Sequence, residues 1–290
     1  MKNINLIQRF CKTFISLFRK LKIFFIFNSQ FSILNSKRLF IRAIVHTDIG
    51  CVRRNNEDKA GFQFMGGSKT DFFAILADGM GGYERGEEAG GIMVNTLIDN
   101  NGQTMNKDPR HWLSDMVSKA NSRIYESSLQ QQSVMGTTCS TLLIWKKKIY
   151  CAHVGDSRIY LLAEGKLRQL TCDHTVVGEM VRIGEITPAE AAGHPQRSIL
   201  TKAIGTSSQV KPDIFKVSVP IRKGNRFLLC SDGLYDLVPD IEICQLLSQP
   251  LLRTAALSLV ETAKKRGGYD NITVIIVEIN EKSNTDDDES

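Results

Sequence analysis

"FFAILADGMGG", residues 72–82, decides how the rest of the chain is read. Six apolar residues run into Asp78, and glycines follow on both sides of Met80. The run has the length and composition of a buried strand. Asp and Gly are ordinary turn formers, so Asp78 could do no more than end the strand. The other reading is that the glycines let something approach the backbone closely and the carboxylate holds it.

The same arrangement recurs along the chain. "RFLLCSDG" at 226–233 brings Asp232 to the end of another apolar run. "HVGDS" at 153–157 and "GYDN" at 268–271 set Asp156 and Asp270 beside glycine at strand boundaries, and "NNED" at 55–58 puts Glu57 and Asp58 ahead of a further strand. Each alone reads as a turn. Together they have the makings of a site for a hard cation, because Mg2+ and Mn2+ prefer carboxylates, carbonyls and water. A strand end holds a carboxylate rigidly, and Gly79 leaves its carbonyl open to a ligand.

The chain has 290 residues, with the charge and apolar content of an ordinary globular protein. Its seven cysteines are scattered with no C-x-x-C pair, which fits reduced structural thiols in a cytoplasmic protein. The net charge of +6 is unevenly placed: residues 1–42 hold nine Lys or Arg and no acid, leaving 28 basic and 31 acidic residues elsewhere. A nucleic-acid footprint on the main domain is therefore not expected.

Three regions follow. In residues 1–42, Ile7, Phe10, Cys11, Phe14, Ile15, Leu17, Phe18 and Leu21 recur at helical spacing, with Arg9, Lys12, Arg19 and Lys20 opposite. Such a basic amphipathic segment can lie on an anionic membrane surface. The alternatives are an unstructured tail, or upstream sequence read through from a misassigned start. The run "IFFIF" at 23–27 is too short to span a bilayer. Residues 43–280 read as the folded domain, and 281–290 as an acidic solvated tail.

Within the domain, strands are expected at 41–50, 71–79, 140–145, 148–156, 158–165, 225–233 and 271–279, and helices at about 84–100, 108–131, 175–193, 239–248 and 251–266. "WKKKIY" and "AEGKLR" read as hairpin turns, so three consecutive strands over 139–170 are expected to pair antiparallel. "GGSKT" at 66–70 reads as a hairpin tip rather than a P-loop, since Lys69 is in the wrong register from Gly61. Strands in runs with helices between them favour α+β layers.

"DIGCVRRNNED", "LADGMGG", "GTT", "VGDSRIYLL", "HPQRSILTKAIG", "LLCSDGLYD" and "GYDNITVIIVEI" occur in that order over 46–279. In this the chain resembles the metal-dependent Ser/Thr protein phosphatases of type 2C, in their bacterial form. The resemblance implies a four-layer αββα sandwich, two antiparallel sheets between helices, with a flap over about 171–204. It implies two Mn2+ or Mg2+ ions. Asp78 would bridge both, Asp232 and Asp270 complete one, and the Gly79 carbonyl binds the other. Glu57 and Asp58 would hold water around the centre, and Arg53 would take the substrate phosphate. Asp156, with Asp232 and Asp236, matches a third, weaker metal site. A helical turn after "LLCSDG" would put Asp232 and Asp236 on one face. The implied activity is hydrolysis of phosphoserine and phosphothreonine on proteins, opposing a Ser/Thr kinase.

Eukaryotic members carry a histidine, a candidate general acid, where this chain has Met80; methionine cannot donate a proton, so the acid must come from solvent at the metals. The histidines have more ordinary readings: His153 as a sheet residue, His174 and His194 as capping or packing residues beside the flap. Arg158 reads as half of a structural ion pair. Arg197 is a lesser candidate for phosphoprotein docking.

Overall fold

In a computed structural model the described residues are 38–81, 85–99 and 108–282. The helical pattern at 7–21 and most of the acidic tail lie outside them. Residues 40–280 form one compact unit.

Two five-stranded antiparallel sheets make up its centre. One runs in the order β1 (Arg38–Asp48), β12 (Ile272–Lys282), β11 (Arg226–Cys230), β8 (Arg158–Ala163), β9 (Lys166–Gln169). The other runs β10 (Asp213–Val217), β7 (Lys148–Val154), β6 (Cys139–Trp145), β3 (Phe72–Ala77), β2 (Lys59–Phe64). A short pair, β4 (Gly79–Gly81) with β5 (Met135–Thr137), stands beside them.

The period-2 geometry of a strand explains why these segments are apolar throughout. In β3, Phe73, Ile75 and Ala77 join a core cluster with α1 (Arg85–Asp99) and α2 (Pro109–Gln130), while Phe72, Ala74 and Leu76 are buried on the opposite face. In α1, Ala89, Met93 and Leu97 recur every fourth residue and meet that sheet; α2 adds Leu113, Val117, Ala120 and Ile124, with Trp112 edge-on to Phe73 at 5.6 Å between ring centres. Across the molecule, Leu228, Cys230, Val274 and Ile276 pack against α6 (Asp240–Leu247) and α7 (Leu252–Lys265). Phe227, Leu229, Ile275 and Val277, on the other face of the same strands, are equally buried. Both faces of both sheets are covered, which is the α+β, αββα sandwich expected from sequence.

Two expectations need correction. Strands β6 and β7 form one hairpin and β8 and β9 another, but β7 and β8 belong to different sheets. The chain crosses between sheets at Gly155–Ser157, so the "VGDS" turn is not a step within one ladder. The single helix expected over 175–193 is two short ones, α3 (Val176–Arg182) and α4 (Pro188–Ala192). Thr187 starts the second with a capping box closed by Glu190, and Pro188 follows it at the first helical position. The hairpin tip at 66–70 is found, with Met65 N–H bonded to the Asp71 carbonyl at 2.9 Å and β2 paired with β3. Strands β4, β5 and β10 were not anticipated, being short or weakly apolar.

Candidate metal centre

Strand register brings the acidic residues to one end of the sandwich. Lys59 lies opposite Ala77, Leu76 opposite Ser140 and Cys139 opposite Val154, so Asp58, Asp78 and Asp156 all step off the same edge of one sheet. In the other sheet Cys230 lies opposite both Arg158 and Val274, which puts Asp232 and Asp270 at its matching end.

Asp78 is held by its backbone. Its N–H donates to Thr138 Oγ1 at 2.9 Å, and its carbonyl accepts from the Thr138 N–H at 2.8 Å and from Thr137 Oγ1 at 2.9 Å. The "GTT" stretch thus grips the residue from both sides and leaves the side chain free to point elsewhere. Gly79 has a packing task as well as the carbonyl role expected of it. A Cβ there would lie 2.1 Å from the Gly86 carbonyl oxygen and 2.7 Å from that of Glu57. What the glycine admits is the protein's own backbone, at the start of α1. Gly86 is equally constrained, since a Cβ on it would stand 2.5 Å from Glu57 Oε2.

The loop carrying Arg53, Glu57 and Asp58 is fastened by Asn271. Its Nδ2 donates to the carbonyls of Ile49 at 3.0 Å and Asn55 at 2.9 Å, and its Oδ1 accepts the Glu57 N–H at 2.9 Å. Gly50 bends the loop with φ +80°, and a Cβ there would lie 2.1 Å from the Asp270 carbonyl oxygen. Asp58 is buried and accepts Ser231 Oγ–H at 2.8 Å. Arg53, not Arg54, contacts Asp270: its Nη2 lies 2.6 Å from Oδ2. Asp270 Oδ1 accepts the N–H of Asn271 at 2.8 Å.

Asp232 opens a single helical turn, α5 (Asp232–Tyr235), and its carbonyl accepts the Asp236 N–H at 3.0 Å. The two carboxylates are therefore i and i+4 on one face, as expected. Tyr235 between them donates its hydroxyl to the Asp156 carbonyl at 3.1 Å. Arg197, from the flap, reaches Asp236 Oδ2 at 3.5 Å. Arg158 is the structural partner expected: it forks onto Asp173, 2.7 Å at the shortest, and stacks on the Tyr235 ring. A bridge between Thr175 and Leu200 closes the base of the flap.

The histidines are committed elsewhere. His153 is buried between Ser140 Oγ at 3.0 Å and the Cys172 carbonyl at 3.1 Å, and burial holds its pKa down to about 3. His174 stacks on it, accepts the Gly155 N–H at 3.1 Å and faces Asp213 at 3.2 Å. His194 accepts the Gln196 N–H in the exposed flap.

The electrostatics ask for cations. Asp78 is pushed well above the usual carboxylate range, first by burial and then by Asp58, Asp232, Asp156 and Asp270. Asp232 is raised likewise by burial and then by Asp156, Asp270, Asp236 and Asp58. Burial takes Asp58 to about 6 and Asp156 to about 7, with Asp173 and Asp236 adding to the latter. No donor or cation ranks among the leading influences on Asp78 or Asp232, and a carboxylate sunk among others without one is costly. Among the described residues no three of these side chains close to coordinating distance on one point, and Asp270 and Asp236 rest on arginines. The donors are all oxygen, which suits Mg2+ or Mn2+ rather than zinc.

Asn271 and Thr138 are the residues that sequence reasoning passed over. Both stood inside quoted motifs, "GYDN" and "GTT", but nothing in a linear pattern says which loop a buried amide will fasten.

Comparison with known proteins bears on this geometry. The sequence model described as Protein phosphatase 2C matches residues 49–272. The chain is 37% identical over 247 residues to the serine/threonine phosphatase stp of Listeria welshimeri, spanning 83% of this chain and 96% of that protein. It is similar to the crystal structure of the serine/threonine phosphatase PstP/Ppp of Mycobacterium tuberculosis, with a TM-score of 0.75, 36% identity and coverage of 83% of this chain and 99% of that one. A crystal structure of the PstP catalytic domain in complex with two manganese ions matches with a TM-score of 0.74 and 34% identity, over 84% of this chain and all of that one. A carboxylate cluster at one end of an αββα sandwich, and sequence likeness over most of its length, make this chain a member of the protein phosphatase 2C family.

Proposed function

We propose that the chain hydrolyses phosphoserine and phosphothreonine on proteins, with two Mn2+ or Mg2+ ions at the cluster and a third held weakly. Bound there, such a pair supplies the positive charge that screens a phosphomonoester dianion and lowers the pKa of water. The chain's own residues do the rest. Asp78 would be shared between the two ions, Asp232 and Asp270 would help hold one, and the Gly79 carbonyl would help hold the other. Glu57 and Asp58 orient solvent. Arg53 offers a forked donor that matches phosphate. Asp156 and Asp236, with Asp232, would hold the third ion. His153 and His174 are tied into the sheet and the flap base, and Met80 has no proton to give, so the leaving alkoxide takes its proton from solvent. The observation that carries this reading is the set of Asp58, Asp78, Asp156 and Asp232, each raised in pKa by burial and by neighbouring carboxylates.

The substrates are phosphoproteins, and a Ser/Thr kinase is the natural opponent. The catalytic domain takes in β1 from Arg38 and β12 as far as Lys282, wider at both ends than the 43–280 expected from sequence, and the acidic residues after it are the tail. The residues ahead of β1 are a basic extension suited to peripheral contact with an anionic membrane from the cytoplasmic side. Among the described residues no helix is long and apolar enough to cross a membrane. Hydrolysis of p-nitrophenyl phosphate tests the reading: activity with Mn2+ that EDTA abolishes supports it, and activity indifferent to EDTA overturns it.

A further inference from the structure

Arg53 stands where its two tasks conflict. Its guanidinium lies on Asp270 Oδ2 at 2.6 Å, while Asp270 Oδ1 is taken by the Asn271 N–H at 2.8 Å, so both oxygens already have a donor. The backbone of the loop cannot carry Arg53 away. The Cys51 N–H is bonded to the Gly268 carbonyl at 2.7 Å, Asn271 fastens Ile49, Asn55 and Glu57, and Gly50 is wedged against the Asp270 carbonyl. The side chain, by contrast, is 51% exposed and free to swing. A second arginine, Arg197, rests on Asp236 in the same fashion.

We propose that Arg53 is a two-position switch: it neutralises Asp270 while no cation is there, and turns to the substrate phosphate when Asp270 turns to a cation. This rests on the reading of Asp270 as a metal ligand and Arg53 as the phosphate-binding arginine. Cation and guanidinium compete for one carboxylate, so Arg53 opposes cation binding when phosphate is absent. Phosphate gives the arginine another partner and removes that opposition. Cation and phosphate therefore favour each other through this side chain, and the coupling is reciprocal. An exposed ion pair is weak enough to be exchanged in this way.

The test is calorimetric titration of Mn2+ into the EDTA-stripped full chain, for the wild type, Arg53→Ala, Arg53→Gln, Asp270→Asn and Arg53→Ala/Asp270→Asn, with and without inorganic phosphate. Removing the guanidinium should tighten Mn2+ binding roughly threefold to tenfold in the absence of phosphate, the scale of a modest ion pair plus one lost neighbouring positive charge. The gain should shrink toward unity in the Asp270→Asn background. Inorganic phosphate should tighten Mn2+ binding more in the wild type than in Arg53→Ala. Unchanged or weaker Mn2+ binding in both Arg53 variants overturns the switch, as does a gain that persists undiminished without Asp270, or equal tightening by phosphate in both proteins. Wild-type hydrolysis of p-nitrophenyl phosphate is measured alongside. If the wild type binds Mn2+ and turns over but the Arg53 signature is absent, the switch alone falls; if it does neither, the phosphatase reading falls and takes the switch with it.

Discussion

Asn271→Ala removes three hydrogen bonds at once, from Nδ2 to Ile49 and Asn55 and from the Glu57 N–H to Oδ1, at a residue only 5% exposed. Each contributes about 1 kcal/mol net, and the loop carbonyls left behind lie near enough to solvent to find water, so the expected loss is about 2–3 kcal/mol. For a domain of this size that lowers the thermal midpoint by roughly 5–10 °C. The effect on catalysis should be larger than stability alone implies, because Arg53, Glu57 and Asp58 ride on the fastened loop. A displacement near 1 Å there is expected to lower kcat/KM on a phosphothreonine peptide by about 10- to 100-fold. Asn121 provides a calibration: its Nδ2 reaches the Ser207 and Ser208 carbonyls and its Oδ1 accepts the Gly205 N–H, an equivalent set of bonds away from this loop. The assay is thermal unfolding and steady-state kinetics of both alanine variants. A midpoint within about 1 °C of wild type, or an equal fall in kcat/KM for the two, would refute the claim that Asn271 positions the loop.

Gly79→Ala should destabilise the fold by on the order of 3 kcal/mol, because its Cβ meets two backbone carbonyls, whereas Gly91→Ala in the open face of α1 should stabilise slightly; a midpoint comparison decides. Asp58 and Asp156 have pKa values raised to about 6 and about 7, so the folded state binds these protons more tightly than the unfolded chain. That stabilisation is full below the unfolded value and is lost as pH rises through about 6 to 7, so EDTA-stripped protein should lose stability between about pH 5 and 8, and Asp156→Asn should flatten the curve. A stripped wild type that grows more stable over that window would contradict this. Deleting residues 1–36, which ends short of β1, should leave hydrolysis of a soluble phosphopeptide intact while abolishing binding to anionic vesicles. Equal vesicle binding by both forms would remove the case for a membrane contact.

Most of the layered fold was legible because both faces of each sheet are buried. Runs such as "FFAILA" and "RFLLC" then carry strong, continuous apolar signals, and helices such as α2 announce themselves by Asp108 as cap and Pro109 at the first position. The acidic stations were legible because each borders such a strand run, at its start or its end. What the sequence hid was long-range. The crossing of the chain between sheets at "VGDS" looks locally like any turn, and only the pairing of β7 with β10 and β8 with β11 reveals it. The division of the flap into α3 and α4 was written in Thr187 and Pro188, where a capping signal interrupts an otherwise helical stretch. The contacts of Arg53 with Asp270 and Arg197 with Asp236 join residues far apart in sequence, and no local pattern foretells such pairs.

The central claim is that Asp78 shares its carboxylate between cations that drive phosphomonoester hydrolysis. Phosphate release from a phosphothreonine peptide, followed as Mn2+ is titrated into EDTA-stripped wild type and Asp78→Asn, tests it most directly, with far-ultraviolet circular dichroism confirming that both are folded. The account requires wild-type activity to rise from none as Mn2+ is added and the folded variant to remain lower by on the order of 100-fold or more at every concentration. Release from the stripped wild type without added metal, or near-normal Mn2+-dependent turnover by folded Asp78→Asn, would contradict it.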